Sequence, residues 1–110
     1  MSELDRYVDV SGALKRIGGS MDLYKRLLKQ FSGGDHIDPL EEALNNGDFE
    51  DASRKVHSLK GVCANLSLIE LAAISARLEN KVHEGADFSD TFSELKRAYN
   101  ETSRYISEIL

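Results

Sequence analysis

The sequence predicts an all-α protein, an antiparallel four-helix bundle with one or two short additional helices at its N-terminus. Three observations carry that expectation. Apolar residues recur at spacings of three and four along most of the chain. Several of these runs open on Ser or Asp and close on Gly. No segment alternates apolar and polar residues as a half-buried strand does. With 110 residues, 41% of them hydrophobic, the chain is expected to form a single domain over residues 1–110 that folds without covalent staples.

Each element can be argued in order. A short first segment begins near Asp9 and is closed by Gly18-Gly19. Ser20 can cap the next helix, in which Tyr24, Leu27, Leu28 and Phe31 follow the i, i+3, i+4, i+7 pattern of one face. The stretch SGGDHIDP breaks it. Asp38 before Pro39, with Glu41 three residues after the aspartate, predicts a capped start for a helix carrying Leu40, Ala43 and Leu44, which Gly47 ends in a left-handed conformation. Asp48 caps a longer helix whose Phe49, Ala52, Val56, Leu59, Cys63 and Leu66 fall within one apolar stripe. After a very short turn, Ser67 and Glu70 are expected to form a capping box for a helix that buries Leu71, Ile74, Leu78 and Val82 and stops at Gly85. So short a turn makes these two helices antiparallel. A last helix starts near Asp87 and repeats Phe88, Phe92, Leu95, Tyr99, Thr102, Ile106 and Ile109.

Composition excludes several function classes. A net charge of −5, with basic residues spread along the chain, gives no general attraction to nucleic acid or anionic lipid. Cys63 is the single cysteine, which rules out an internal disulfide and a cysteine-based zinc site and suits a reducing compartment. No signal-peptide pattern opens the chain, and no apolar run approaches the roughly 20 residues of a membrane span, so a cytoplasmic, non-inserted protein is expected. HExxH, P-loop and GxSxG elements are missing, which leaves no recognisable means of binding ATP or hydrolysing a substrate.

One stretch asks for a chemical explanation. In VHSLKGVCANL, residues 56–66, His57 points roughly 130° away from the centre of the apolar stripe and so projects into solvent. Lys60 and Gly61 lie one turn on, Ser53 and Arg54 one turn back, and Ala64 two turns on, all on that outward face. A mid-helix glycine costs about 1 kcal/mol relative to alanine, and Gly61 repays it by clearing the ground beside the imidazole. Neutral imidazole is a nucleophile near neutral pH. Lys60 is a flexible ammonium expected to gain its partner only when the ring carries phosphate. These residues read as an exposed phosphoryl acceptor, against the alternative of a solvated surface histidine. His36 in the glycine-containing break and His83 in a last helical turn are read as structural or incidental, and Cys63 as a small buried hydrophobe.

HSLKGVCANL closely resembles the signature of histidine-containing phosphotransfer domains, in which an accessible histidine is followed by Leu-Lys-Gly, small residues and an aliphatic residue. RIGGSMDLYKRLLKQF resembles the opening pair of helices of that family, LEEALNNGDFEDASRKVHSLKG its run into the histidine, and LIELAAISARLE its following helix. The resemblance implies that His57 is the phosphohistidine, that Lys60 offsets the added charge, and that a receiver domain reaches the ring over Gly61, with Ser53, Arg54 and Ala64 in the docking face. It further implies a monomeric phosphoryl carrier and not an enzyme. The carrier itself holds no metal or cofactor, and Mg²⁺ is held by the partner. The partners are response-regulator receiver domains, with a hybrid histidine kinase as a further candidate. Many members have alanine before the histidine and glycine after the Asn-Leu pair, where this chain has Val56 and Ser67. Two other readings stay open: a helical docking module that is never phosphorylated, and a histidine domain charged directly by an ATP-binding kinase partner.

Overall fold

A computed structural model describes residues 3–110, so Met1 and Ser2, the start of the stretch judged not to be a signal peptide, lie outside the described residues. Seven helices follow one another among them: α1 (Glu3–Tyr7), α2 (Val10–Arg16), α3 (Met21–Gly33), α4 (Asp38–Asn45), α5 (Phe49–Asn65), α6 (Ile69–Glu84) and α7 (Ser89–Ile109), with no strand. The long helices α3, α5, α6 and α7 form the bundle. α1 and α2 are the short N-terminal additions, and α4 packs against α5.

The expected caps hold where the chain is free to use them. Ser20 accepts from the Leu23 N–H at 3.2 Å and Asp48 from the Asp51 N–H at 3.2 Å, each satisfying an otherwise orphaned donor of the first turn. Asp9 does the same for Gly12 at 3.0 Å. Gly47 adopts φ +73°, the left-handed conformation that ends α4. Two expected caps do not form. Asp38 is the first residue of α4 and not its cap. Its own N–H is satisfied by Asp35 Oδ1 at 3.1 Å, and the proline that follows has no N–H to be satisfied.

The turn between α5 and α6 also departs from the expected capping box. Ser67 is no N-cap: it is buried, has φ +56°, and stands where the chain leaves α5. Its N–H donates to the Ala64 carbonyl at 3.2 Å and that of Leu68 to the Cys63 carbonyl at 2.8 Å, the paired bonds of a Schellman ending whose left-handed position usually belongs to glycine. A non-glycine residue there costs roughly 1–2 kcal/mol. Compensation comes from outside the turn: Arg16 donates to both Ser67 Oγ and the Ala64 carbonyl, the Asp9 N–H donates to the Ser67 carbonyl at 2.9 Å, and the buried Tyr24 hydroxyl donates to the Leu66 carbonyl at 2.7 Å. Glu70, freed from the expected capping box, pairs with Arg6 of α1.

Packing follows the predicted stripes closely. Ala52, Val56, Leu59 and Cys63 of α5, Leu66 just past its end, and Leu71, Ile74, Leu78 and Val82 of α6 are all buried in one core. Phe49 departs from the stripe. It is 48% exposed at the first position of α5, past the end of the inter-helix seam, and meets Phe88 edge to face at 6.0 Å. On α7, Phe92, Leu95, Thr102 and Ile106 are buried as expected and are joined by Tyr105, which stacks on Tyr7 of α1 at 5.3 Å. Burial pushes the Cys63 thiol up to about 12, which keeps it protonated and consistent with a core role.

The turn bond from Tyr24 yields a prediction. Tyr24→Phe removes a buried donor and leaves the Leu66 carbonyl short of a partner, so urea unfolding should show a loss of about 1 kcal/mol with an unchanged slope. An unaltered midpoint would remove this bond from the account of the turn.

Candidate functional site

Helix α5 carries the site and α6 completes it. Because the turn fixes the register of the antiparallel pair, His57 on α5 and Glu79 on α6 face each other, 22 residues apart with Leu68 midway. Glu79 grips two groups. Its Oε2 lies 2.7 Å from His57 Nδ1 and its Oε1 lies 2.5 Å from Lys60 Nζ. The Lys60 ammonium first, and the His57 ring after it, hold the Glu79 carboxyl below its ordinary range against the opposing effect of partial burial. The stability this pairing confers is therefore present above the unfolded-state pKa of the glutamate and is lost as pH falls through the depressed value. An ionised carboxylate can only accept, so Nδ1 of His57 is the donor and carries the proton. In the neutral ring with the proton on Nδ1, the lone pair belongs to Nε2.

The outward projection of His57 agrees with the helical count: its side chain is 69% exposed. Gly61, one turn on, has open space above it, since a Cβ built there meets nothing within 4 Å. Ala64 is also exposed, and its carbonyl is the one bound by Arg16. Ser53 is half-buried and lines, with Phe49, Arg54, Glu79, Val82 and His83, a shallow depression beside the ring. The structure thus brings His57, Lys60, Gly61, Ser53, Arg54 and Ala64 onto one face.

Electrostatically the face differs from the expectation. Lys60 is not waiting for a partner, because it already holds Glu79. Arg54 is likewise engaged, with Glu50 at 3.4 Å and Asp51 at 3.2 Å. The imidazole therefore stands in a locally balanced field and not between two free cations. The sequence reading missed Glu79 altogether, although a signal was present: in a helical hairpin turning at Leu68, the residue equally far along the second helix is the one that faces His57.

The other histidines play different parts. His36 stacks on Phe31 with ring centroids 4.4 Å apart and its Nε2 donates to the Phe31 carbonyl at 3.0 Å, closing the end of α3. His83 is exposed in the last turn of α6. Among the described residues no group of three or more His, Cys, Asp or Glu could hold a metal ion, and no helix is long and apolar enough to cross a membrane.

Comparison with protein families matches residues 26–105 to the Hpt domain, a stretch that runs from within α3 to near the end of α7 and contains the whole His57 face. The chain belongs to the Hpt domain family. No curated protein and no solved structure matched it. Hpt domains serve phosphorelays as histidine phosphocarriers in two-component signal transduction, and they interact with receiver domains. Helices α1 and α2 precede the matched stretch and brace, through Asp9 and Arg16, the turn that sets the register of the Hpt core.

The open ground above Gly61 generates a test of this face. Gly61→Ala should hold or raise stability, by up to about 1 kcal/mol, because nothing opposes the new methyl and alanine is the better helix former. Gly61→Gln should fold equally well but slow phosphoryl transfer from a receiver. Transfer at the wild-type rate in the Gln variant would show that clearance is not what Gly61 provides.

Proposed function

We propose that His57 is the phosphoryl acceptor of this Hpt domain, taking the group from a receiver-domain aspartyl phosphate and passing it to another receiver domain. The observation that supports this most directly is the geometry of the ring: Nδ1 is engaged by Glu79 at 2.7 Å, so the free Nε2 is the nitrogen presented to solvent. The receiver docks over the face of Gly61, Ser53, Arg54 and Ala64. Its own acidic pocket, where Mg²⁺ belongs, organises the in-line transfer. The bundle contributes a rigid nucleophile held in one tautomer, together with the open approach above Gly61.

Lys60 has a divided role on this reading. In the resting state it anchors Glu79; once the ring carries phosphate, its ammonium lies one turn away and can share its charge with the new group. An exposed pair of this kind is worth roughly 0.5–1 kcal/mol and is weakened by salt.

Incubation with a phosphorylated receiver should give an adduct that is labile in acid and stable in alkali, and His57→Gln should abolish it without altering helicity. Label appearing at His36 or His83 in that variant would contradict the assignment.

A further inference from the structure

We infer that Glu79 keeps the proton on Nδ1 of His57 through the whole transfer cycle, so that the ring takes up and releases the phosphoryl group without a proton moving on it. The inference rests on the phosphoacceptor reading of His57 and extends it to the step of discharge. Glu79 is suited to this by being fixed at both oxygens: Oε2 holds the ring at 2.7 Å and Oε1 is anchored to Lys60 at 2.5 Å. The Glu79 side chain is only 18% exposed, and both of its oxygens are engaged.

The electron balance shows what the fixed proton accomplishes. On acceptance, the Nε2 lone pair forms the N–P bond as the bond from phosphorus to the donor aspartate oxygen breaks, its electrons leaving on the carboxylate. The ring then carries phosphorus on Nε2 and hydrogen on Nδ1 and is cationic. On discharge, a carboxylate oxygen of the second receiver, or water, bonds to phosphorus, and the N–P electrons return to Nε2. Because Nδ1 has kept its proton, the ring departs as neutral imidazole. Without that proton it would have to depart as an anion, a far poorer leaving group. Glu79 acts through the ring, by its contact with Nδ1, which makes it a positioning residue.

Several charged groups face the ring and have to be separated from Glu79. From α5 these are Glu50, Arg54 and Lys60, and from α6 Glu79 and His83. Arg54 is turned toward Glu50 and Asp51. Among the described residues, Glu79 is the group with an atom in hydrogen-bonding distance of the His57 ring. His83 is a second imidazole lining the same depression and needs its own control.

The experiment uses the whole chain, phosphorylated by a receiver and then freed of it, with spontaneous loss of label followed from mildly acidic to alkaline pH. Wild type, Glu79→Gln and His83→Gln are compared, each checked for helicity. In Glu79→Gln the amide oxygen can still accept from Nδ1 but the charge is gone. Its loss of label should match wild type on the acid side, begin to slow at a lower pH than wild type does, and become about two- to fivefold slower on the alkaline side, the scale of a largely solvated charge pair. His83→Gln should keep the wild-type profile. Superimposable profiles for Glu79→Gln and wild type, unequal rates on the acid side, or an equal displacement in His83→Gln would each overturn the inference while leaving His57 as the acceptor. A wild-type chain that takes no label at His57 would overturn the acceptor reading and this inference with it.

Discussion

Where α5 ends, the buried hydroxyl of Tyr24 reaches the Leu66 carbonyl at 2.7 Å, Arg16 holds the Ala64 carbonyl and the Ser67 hydroxyl, and the Asp9 N–H takes the Ser67 carbonyl. These bonds pin a turn that could otherwise relax, since Ser67 occupies a left-handed position at a cost glycine would not incur. The turn is the constraint on which the site depends. It sets the register of α6 against α5, and a change of one residue would rotate Glu79 by about 100° away from His57. His57 is therefore positioned from the far end of its own helix. The segment before α3 has a defined part in this, although it lies before the stretch that matches the Hpt family.

The face that results is balanced in charge and open in shape. Lys60 and Glu79 neutralise one another beside the ring, and Arg54 is neutralised by Glu50 and Asp51. Such a surface does not attract anions indiscriminately, and it leaves recognition to shape and to what the partner brings. Gly61 and Ala64 supply the shape. The proposed carrier role fits this arrangement, because a group that must accept and release a phosphoryl with similar ease gains little from a strongly cationic pocket that would trap the phosphorylated state.

Much of this was legible in the sequence where a single helix decides the outcome. The caps at Ser20 and Asp48, the left-handed Gly47, the buried stripe of α5 and the outward turn of His57 depend on residues within a few positions of one another. Phe49 failed because periodicity extends a stripe past the point where the neighbouring helix stops covering it. Asp38 and Ser67 failed because each competes with a second solution: Asp35 reaches the first turn of α4, and the turn after α5 needs a left-handed residue more than α6 needs a cap. Glu79 was missed because its role appears only when two helices are set side by side. The same blindness made Lys60 look unpaired.

Which ring nitrogen takes the phosphoryl group decides whether Glu79 holds the proton opposite it. Nitrogen-15 and phosphorus-31 spectra of the chain labelled at histidine and phosphorylated by a receiver measure it directly. One-bond coupling between phosphorus and Nε2 of His57, with Nδ1 still bearing its proton, is the expected result. Phosphorus on Nδ1, or on any residue other than His57, would contradict the geometry from which the function has been argued.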